Sequence, residues 1–292
     1  MRSAAAGLPF SPLLRYDDDM HPTKAAYPCA LTIAGSDSGG GAGIQADLKT
    51  FAANGVYGAS VITALTAQNT TGVRAIHTAP TAIIAAQMDA VLEDLPIGAI
   101  KIGMLSSAAV IRVVADRLRA HAPRPLVLDP VMVAKSGDPL LHADAIAALT
   151  EELLPLAALL TPNLPEAARL LGLPAIADAA GAARALHALG PDAVLLKGGH
   201  AAGEEITDLL ALPDGAVHVF RHPRLATPNT HGTGCSLSSA IAAGLAKRLP
   251  LPHAVEHAIT WLHGAIAHAW PLGAGHGPVH HFWQLWPPAE AE

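Results

Sequence analysis

The feature that most constrains the fold is a repeated alternation of short apolar runs and longer amphipathic stretches from Ala30 to Leu196. Short buried runs that end in Gly, Asp or Thr are typical of parallel strands. The stretches between them have apolar residues at the three- to four-residue spacing of helices. This order predicts an α/β fold of three layers, in which helices flank a mostly parallel central sheet.

The predicted elements follow each other along the chain without a long linker or an internal repeat. We expect strands at Ala30–Ala34, Val61–Leu65, Ala99–Ile102, Leu126–Leu128, Leu159–Leu160 and Ala193–Leu196, and helices at Ile44–Asn54, Thr81–Leu95, Ser106–His121, Pro165–Leu171, Asp178–Leu189, Gly234–Arg248 and Pro252–Trp270. Ile206–Leu212 and Val217–Phe220 flank a Pro-Asp-Gly turn and predict a small antiparallel hairpin. Residues 1–28 are interpreted as a poorly ordered N-terminal extension, and residues 29–292 as one domain.

Composition excludes several classes of protein. The chain is 51% hydrophobic and 14% charged, which argues against disorder, and its net charge of −6 without a basic stripe argues against nucleic-acid binding. Leu225–Ala246 and His257–Ala289 lack acidic and basic residues, but polar residues interrupt both, so no membrane segment is expected. Two cysteines, Cys29 and Cys235, exclude a disulfide framework and favour a reducing compartment, which we take to be the cytoplasm.

Polar residues collect where the predicted strands end. Gly35–Asp37, Asp129, Thr161–Asn163 and Lys197 each follow a buried strand. In open parallel sheets, ligands bind outside the carboxyl ends of the strands. The sequence therefore predicts a ligand site at this edge of the sheet.

A glycine-rich segment, Gly39–Gly43, opens the first predicted helix. It is either a tight strand–helix turn or a place where backbone approaches a phosphate or a flat ligand. A dinucleotide site would need an acidic residue about 20 positions later, and Leu48–Met88 contains none. The P-loop pattern is also absent from the sequence, so neither of these nucleotide-binding motifs is present.

The segment Thr230–Ser236 gives the sharpest local signal, because two glycines precede the start of an Ala-rich helix. Backbone N–H groups and the helix dipole would form a cradle for a phosphoryl group in transfer. Cys235 in the first turn would then have a lowered pKa. The alternative is that Cys235 is a small buried hydrophobe and that the glycines only cap the helix.

Other polar residues leave two interpretations open. Asp47 and Gln68 fit either an amine-bearing heterocycle, whose edge an amide can pair, or helix solvation and a turn. Asn163 and Glu166 fit either Mg²⁺ held through water or the capping of a helix. His276, His280 and His281 match no metal-binding spacing and favour a structural role.

Taken together, these segments resemble the hydroxymethylpyrimidine/phosphomethylpyrimidine kinases of the ribokinase-like superfamily. The resemblance lies in Ala30–Thr50, Thr63–Thr70, Lys101–Leu105, Leu128–Met132, Ala134–Leu141, Thr161–Ala167, Lys197–His200, His231–Cys235 and Gly277–His281. It runs in order from Ala30 to Phe282 and leaves out the N-terminal extension.

The resemblance implies an activity and a cytoplasmic homodimer. With ATP and Mg²⁺, the enzyme would phosphorylate 4-amino-5-hydroxymethyl-2-methylpyrimidine to its monophosphate and then to its diphosphate, in thiamine biosynthesis. The alternatives are a pyridoxal or pyridoxine kinase of the same superfamily and a non-catalytic pyrimidine-binding protein.

The resemblance also implies roles for individual residues. The pyrimidine would be bound by Gly35, Asp47, Gln68, Met104 and Val131, and the catalytic residues would be Gly232, Thr233, Gly234 and Cys235. The nucleotide would be bound by Asn163 and Lys197. Mg²⁺ would be held by Glu166, through water, and by Asp129. Ala134–Pro139 would form a flap over the substrate.

Overall fold

The structure is a computed structural model, and it describes residues 27–122, 124–133, 143–201 and 203–286. Most of the expected N-terminal extension and the whole expected flap lie outside these residues. The described strands form one nine-stranded sheet in the order β3-β2-β1-β4-β5-β6-β7-β8-β9. The strands are β1 (Cys29–Asp37), β2 (Tyr57–Asn69), β3 (Gly72–Thr78), β4 (Ile97–Ile102), β5 (Leu126–Leu128), β6 (Leu159–Leu160), β7 (Val194–Leu196), β8 (Glu205–Ala211) and β9 (Val217–Pro223).

The centre of the sheet is parallel, as the sequence predicts. Strands β2, β1, β4, β5, β6 and β7 pair in parallel, whereas β3, β8 and β9 are antiparallel to their neighbours. The predicted hairpin is β8–β9. A second hairpin, β2–β3, was not predicted, because Arg74–Thr78 is exposed and carries no apolar alternation. The last part of β2, from Leu65, and the whole of β3 form a two-stranded arm, Leu65–Thr78.

Helices cover both faces of the sheet and confirm the three-layer α/β fold. One face carries α1 (Gly43–Ala53), α7 (Thr233–Ala246) and α8 (Leu251–Ala267), and the other carries α2 (Thr81–Asp94), α3 (Ala108–Ala120), α4 (Ala143–Ala148), α5 (Leu164–Leu170) and α6 (Ala179–His187). The helix α4, which was not predicted, continues into a π turn and a 3₁₀ turn that end at Leu156.

The two cores differ in the side chains that fill them. Ile, Leu and Met pack between the sheet and α2–α6, whereas Ala is the commonest residue of the other core, where α7 lies against the sheet along most of its length. Close packing of α7 brings its first turn to the carboxyl ends of β1, β4 and β5. Within the described part of the chain, no helix has the length and apolarity needed to cross a bilayer.

Candidate active site

A cavity of about 660 Å³ lies along the carboxyl ends of the parallel strands, where the sequence predicts a ligand site. All but one of the predicted site residues line it. They are Gly35, Gln68, Met104, Asp129, Val131, Asn163, Glu166, Lys197, Gly232, Thr233, Gly234 and Cys235. The fold therefore brings together residues that are up to 200 positions apart in sequence.

The start of α7 has the geometry expected of an anion-binding cradle. Gly232 adopts left-handed backbone with φ 78°, and a Cβ at this position would collide with the carbonyl oxygen of Gly41. A Cβ on Gly234 would lie 3.4 Å from Lys197 Nζ, which places this ammonium group beside the first turn of the helix. The first turn of α7 and the Lys197 ammonium group therefore line the same part of the cavity, where the N–H of Thr233 donates to the carbonyl oxygen of Thr230 at 3.4 Å.

Asp37 organises the glycine-rich segment that precedes α1. Its carboxylate accepts hydrogen bonds from the backbone N–H groups of Gly39 (2.8 Å), Gly41 (3.1 Å) and Ala42 (2.8 Å). Its Oδ2 also lies 2.9 Å from His231 Nε2. Burial raises the pKa of Asp37, but the hydrogen bonds from His231 and the backbone outweigh it and lower the pKa overall. Asp37 thus joins the glycine turn to the cradle, a role that the sequence showed only as a polar strand end.

Gln68 lies on the arm, next to His231 and on the side of His231 away from Asp37 in the hydrogen-bond network. Its Oε1 accepts a hydrogen bond from Thr66 Oγ1 at 3.3 Å, and its Nε2 lies 3.4 Å from His231 Nε2. Met104 packs against Gly35, where a Cβ would lie only 2.8 Å from the Met104 methyl group. An amide and an apolar wall therefore share one end of the cavity.

Asp47 requires a correction, because it does not line the cavity and its side chain is fully buried. Both oxygens accept hydrogen bonds from Lys101 Nζ at 2.8 Å, Oδ2 accepts one from Thr32 at 2.6 Å, and Oδ1 accepts one from Ser239 at 2.7 Å. A carboxylate that accepts four hydrogen bonds from three protein groups has no oxygen left for a ligand. The expectation that Asp47 contacts the pyrimidine is therefore wrong in this structure.

Lys101 is a site residue to which the sequence analysis assigned no role. It lies in β4, its side chain has no exposed surface, and it lines the cavity. A lysine in an otherwise apolar strand, Ile97–Ile102, was the available signal, since a buried charge is rare unless it is paired.

The nucleotide side of the predicted site contains a second buried ion pair. Lys197 Nζ lies 2.8 Å from Asp129 Oδ1, which also accepts a hydrogen bond from Thr161 Oγ1 at 3.2 Å. Asn163 and Glu166 form the capping box that was the alternative interpretation, with reciprocal bonds of 2.9 and 2.8 Å. Both residues still line the cavity, so capping and ligand binding remain compatible.

The carboxylates on this side suit a cation that is shared with a ligand. Burial raises the pKa of Glu166 to about 7, and the charge of Asp129 adds to the effect, while Lys197 opposes it. No group of three or more acidic, His or Cys side chains that could hold a metal is present among the described residues. Mg²⁺ commonly takes one or two carboxylates and completes its shell with phosphates and water, so Asp129 and Glu166 fit it.

Cys235 differs from the expectation in its protonation. Burial raises the pKa of its thiol to about 11, while Lys101 and a backbone hydrogen bond from Gly43 act in the opposite direction. The prediction of a lowered pKa is wrong, because desolvation at this packed helix start outweighs the helix dipole. Cys235 is a neutral thiol near pH 7.

The C-terminal histidines contact other parts of the protein. The rings of His280 and Trp270 are tilted, with centroids 4.4 Å apart, and His281 Nε2 lies 3.1 Å from the hydroxyl of Ser236 in the first turn of α7. His276 Nδ1 lies 3.2 Å from the carbonyl oxygen of Pro228. Burial lowers the pKa of His281 to about 3. His281 therefore stays neutral and braces the helix start.

The low pKa of His281 predicts a pH-dependent stability. As the pH falls from 6.5 towards 3, His281 is protonated in the unfolded chain but stays neutral in the folded protein. The free energy of unfolding therefore decreases below pH 6.5, by about 1.4 kcal/mol per pH unit, and this loss is absent above pH 6.5. We expect the melting temperature of His281→Gln to fall less steeply between pH 7 and pH 4. The exposed His257→Gln is the matched control, and an unchanged slope in His281→Gln would contradict the assignment.

Comparisons with known proteins show which proteins this chain is similar to. A family model described as phosphomethylpyrimidine kinase matches residues 37–280. Over 262 residues the chain is 57% identical to the hydroxymethylpyrimidine/phosphomethylpyrimidine kinase of Rhizobium meliloti, a match that covers 88% of this chain and 98% of that protein.

Two solved structures show how far the similarity extends. The phosphomethylpyrimidine kinase of Clostridium difficile is 44% identical with a TM-score of 0.73, and the match covers 82% of this chain and 99% of that one. The pyridoxal kinase of Bacillus subtilis, solved as an ADP complex, is 36% identical with a TM-score of 0.82, and the match covers 89% of this chain and 100% of that one.

Proposed function

The chain belongs to the phosphomethylpyrimidine kinase family, and on this premise we propose that it phosphorylates 4-amino-5-hydroxymethyl-2-methylpyrimidine twice in thiamine biosynthesis. ATP would convert the hydroxymethyl group to the monophosphate and then to the diphosphate. The single observation that carries this proposal is that one cavity contains both the Gln68 amide and the glycine cradle of α7. A flat heterocycle and a phosphoryl group can therefore bind in the same space.

The pyrimidine would bind at the end of the cavity formed by Gln68, Met104 and Val131. The Gln68 amide carries two N–H donors, of which only one can point at the nearby His231 Nε2, so the other would donate to a ring nitrogen of the ligand. Met104 and Val131 supply apolar walls for the ring, and Gly35 leaves room for Met104. This arrangement would direct the hydroxymethyl group towards the start of α7.

The cradle would stabilise charge during transfer. The helix start at Gly232, Thr233 and Gly234 is fixed before the substrate arrives. The N–H of Thr233 would exchange its 3.4 Å hydrogen bond to Thr230 for a phosphoryl oxygen, so little reorganisation would be needed when negative charge develops there. The transition state of phosphoryl transfer is loose, so positioning and charge neutralisation supply most of the rate.

On the nucleotide side, Lys197 would contact ATP phosphates, and Asn163 would line the same space. Asp129 and Glu166 would hold Mg²⁺, the latter through water. When bound, Mg²⁺ neutralises phosphate charge and orients the terminal phosphoryl group.

The test is a product assay with three acceptors. Purified protein, ATP and Mg²⁺ are incubated separately with the hydroxymethylpyrimidine, its monophosphate and pyridoxal, and the products are resolved by mass. We expect the mono- and diphosphate of the pyrimidine. Pyridoxal is included because a pyridoxal kinase has a similar structure. Phosphorylation of pyridoxal alone would overturn the substrate assignment. If none of the three acceptors were phosphorylated, a non-catalytic binding protein would be favoured.

We expect Gln68→Ala to weaken pyrimidine binding while ATP binding changes little. The lost donor leaves a ligand nitrogen unpaired, at a cost of about 1–3 kcal/mol, or roughly 5- to 150-fold in Kd. Isothermal titration with each ligand measures the difference. Asn69→Ala is the matched control on the same arm, because the Asn69 side chain is exposed and accepts hydrogen bonds from Thr71. Equal weakening of both ligands by Gln68→Ala would show that Gln68 is structural.

We also propose that the protein is a cytoplasmic homodimer in which the arms meet. Leu65 and Ile76 are exposed on the arm, and two-stranded ribbons need further packing to be stable in water. Light scattering after size exclusion gives the mass. A monomer at micromolar concentration would contradict the proposal, and Leu65→Asp should weaken any dimer.

A further inference from the structure

Arg224, which directly follows β9, lines the cavity but has no role in the mechanism above. Its guanidinium group donates three hydrogen bonds to backbone carbonyl oxygens between β7 and β8: from Nε to Gly203 at 2.8 Å, from Nη1 to Gly199 at 2.9 Å and from Nη2 to Ala201 at 2.6 Å. The backbone N–H of Arg224 also donates to the carbonyl oxygen of Glu204 at 2.7 Å. One side chain therefore holds the backbone after β7 at three points, and we call this arrangement the Arg224 clamp.

The backbone held by this clamp begins at the carboxyl end of β7. Gly198 is fixed from the protein interior, because its N–H donates to Asp208 Oδ1 at 2.7 Å and a Cβ on it would collide with a backbone oxygen of β8. Gly199 is different, since it lines the cavity and a Cβ on it would meet no atom within 4 Å. The backbone at Gly199 therefore borders open space, and the hydrogen bond from Arg224 holds it there.

The order of the strands indicates which part of a nucleotide this backbone would meet. The pyrimidine subsite proposed above lies at the ends of β1, β2 and β4, whereas Lys197, which would contact the phosphates, follows β7. The cavity also has an apolar lining from Leu225, after β9, and from Ile259 and Leu262 in α8. A nucleotide with its phosphates at Lys197 would place its base against these apolar side chains. Arg224 is the neighbour of Leu225 in the chain, so the clamp belongs to this part of the cavity.

We propose that Arg224 is a positioning residue for the nucleotide, and that it acts by holding the backbone after β7 in the shape that fits the base and the ribose. This inference rests on the proposed function for its phosphate donor, ATP. Arginine suits this task, since its planar group presents five N–H donors in fixed directions, and three of them are used here. Without the clamp, the backbone would populate other conformations, and only a fraction of the molecules would be ready to bind a nucleotide.

The rival explanation is that the positive charge of Arg224 attracts the phosphates directly, and two substitutions separate it from the clamp. Arg224→Lys keeps the charge, but an ammonium group cannot reproduce the fixed directions of the three guanidinium donors. Arg224→Met removes both the charge and the donors. Arg221→Met is the matched control on β9, because the Arg221 side chain is 62% exposed and lies 3.6 Å from Glu205.

Isothermal titration with ADP and Mg²⁺, without pyrimidine, measures nucleotide binding by these variants. We expect Arg224→Lys and Arg224→Met each to raise the Kd of ADP about tenfold, as for a binding-ready fraction of about one tenth, and Arg221→Met to stay within about twofold. Hydrogen exchange of the peptide that spans 198–205, measured without ligand, should become faster in both Arg224 variants only. In steady-state assays, the KM for ATP should rise about tenfold in both, while kcat and the KM for the pyrimidine stay within about twofold.

The outcomes distinguish the clamp from its rival and from the proposed function. An unchanged Kd in Arg224→Met, ADP binding restored by Arg224→Lys, or unchanged hydrogen exchange in both variants would overturn the proposal. Failure of the proposed function would instead leave the pyrimidine unphosphorylated by the unmodified protein, while the ADP titration and the hydrogen exchange still tested the clamp. If the unmodified protein bound no ADP, both the clamp and the assignment of ATP as phosphate donor would be rejected.

Discussion

Gly232→Ala should reduce kcat for both phosphorylations by about 100- to 1,000-fold, the range observed when oxyanion-stabilising donors are lost. Two effects act together. Alanine at φ 78° is strained, and its Cβ would collide with the carbonyl oxygen of Gly41. The start of α7 or the glycine segment must move, and either movement displaces the backbone donors from the phosphoryl group.

A matched control separates backbone strain from the collision. Gly215 in the β8–β9 turn also has left-handed backbone, with φ 86°, but a Cβ there would meet no atom within 4 Å. Gly215→Ala should therefore cost only about 1 kcal/mol of stability and leave kcat unchanged. Steady-state kinetics and thermal melting on both variants provide the measurement. Normal turnover in a folded Gly232→Ala protein would show that the cradle is not used.

Lys101→Met should be the most destabilising of the substitutions considered, at about 3–5 kcal/mol. The variant leaves Asp47 charged, fully buried and with only two neutral donors, Thr32 and Ser239. Adding Asp47→Asn should recover most of the loss, because the uncompensated charge is then gone. Urea denaturation of the single and double variants measures both changes.

The exposed pair of Arg221 and Glu205 is the control for this prediction. Its side chains are 62% and 61% exposed and lie 3.6 Å apart. Arg221→Met should change the free energy of unfolding by less than about 1 kcal/mol. If Lys101→Met lowered the free energy of unfolding no more than Arg221→Met, the prediction that Asp47 needs the charge of Lys101 for stability would be wrong.

Much of the site could be predicted because its parts are local patterns. A few neighbouring residues are enough to recognise each of these patterns. They are the glycines before α7, the amide of Gln68 after a buried strand and the lysine at the end of β7. Their assembly in one cavity follows from the rule that parallel strands end at one edge. Asn163 and Glu166 show the limit of this approach, since the same spacing fits both capping and ligand binding, and the structure contains the capping box.

The sequence did not predict the arm correctly. Strand β3 is exposed along most of its length, so no period-two apolar pattern marks it, and it is a strand only because β2 offers an unpaired edge. The helix α4 and the irregular turns after it were also missed.

By itself, the sequence determined the layers of the fold, the edge of the sheet at which the cavity lies and the glycine segment before α7. Strand length, helix period and helix-start chemistry are properties of neighbouring residues. Only the tertiary structure decided the electrostatics. Asp47 and Lys101 are 54 positions apart and form an ion pair because α1 packs on β1, whose neighbour in the sheet is β4. Cys235 keeps its proton because desolvation outweighs the charge of Lys101, although the residue is only partly buried and lines the cavity. Desolvation and charge pairing depend on everything that surrounds a group in space, and no local stretch of sequence contains that information.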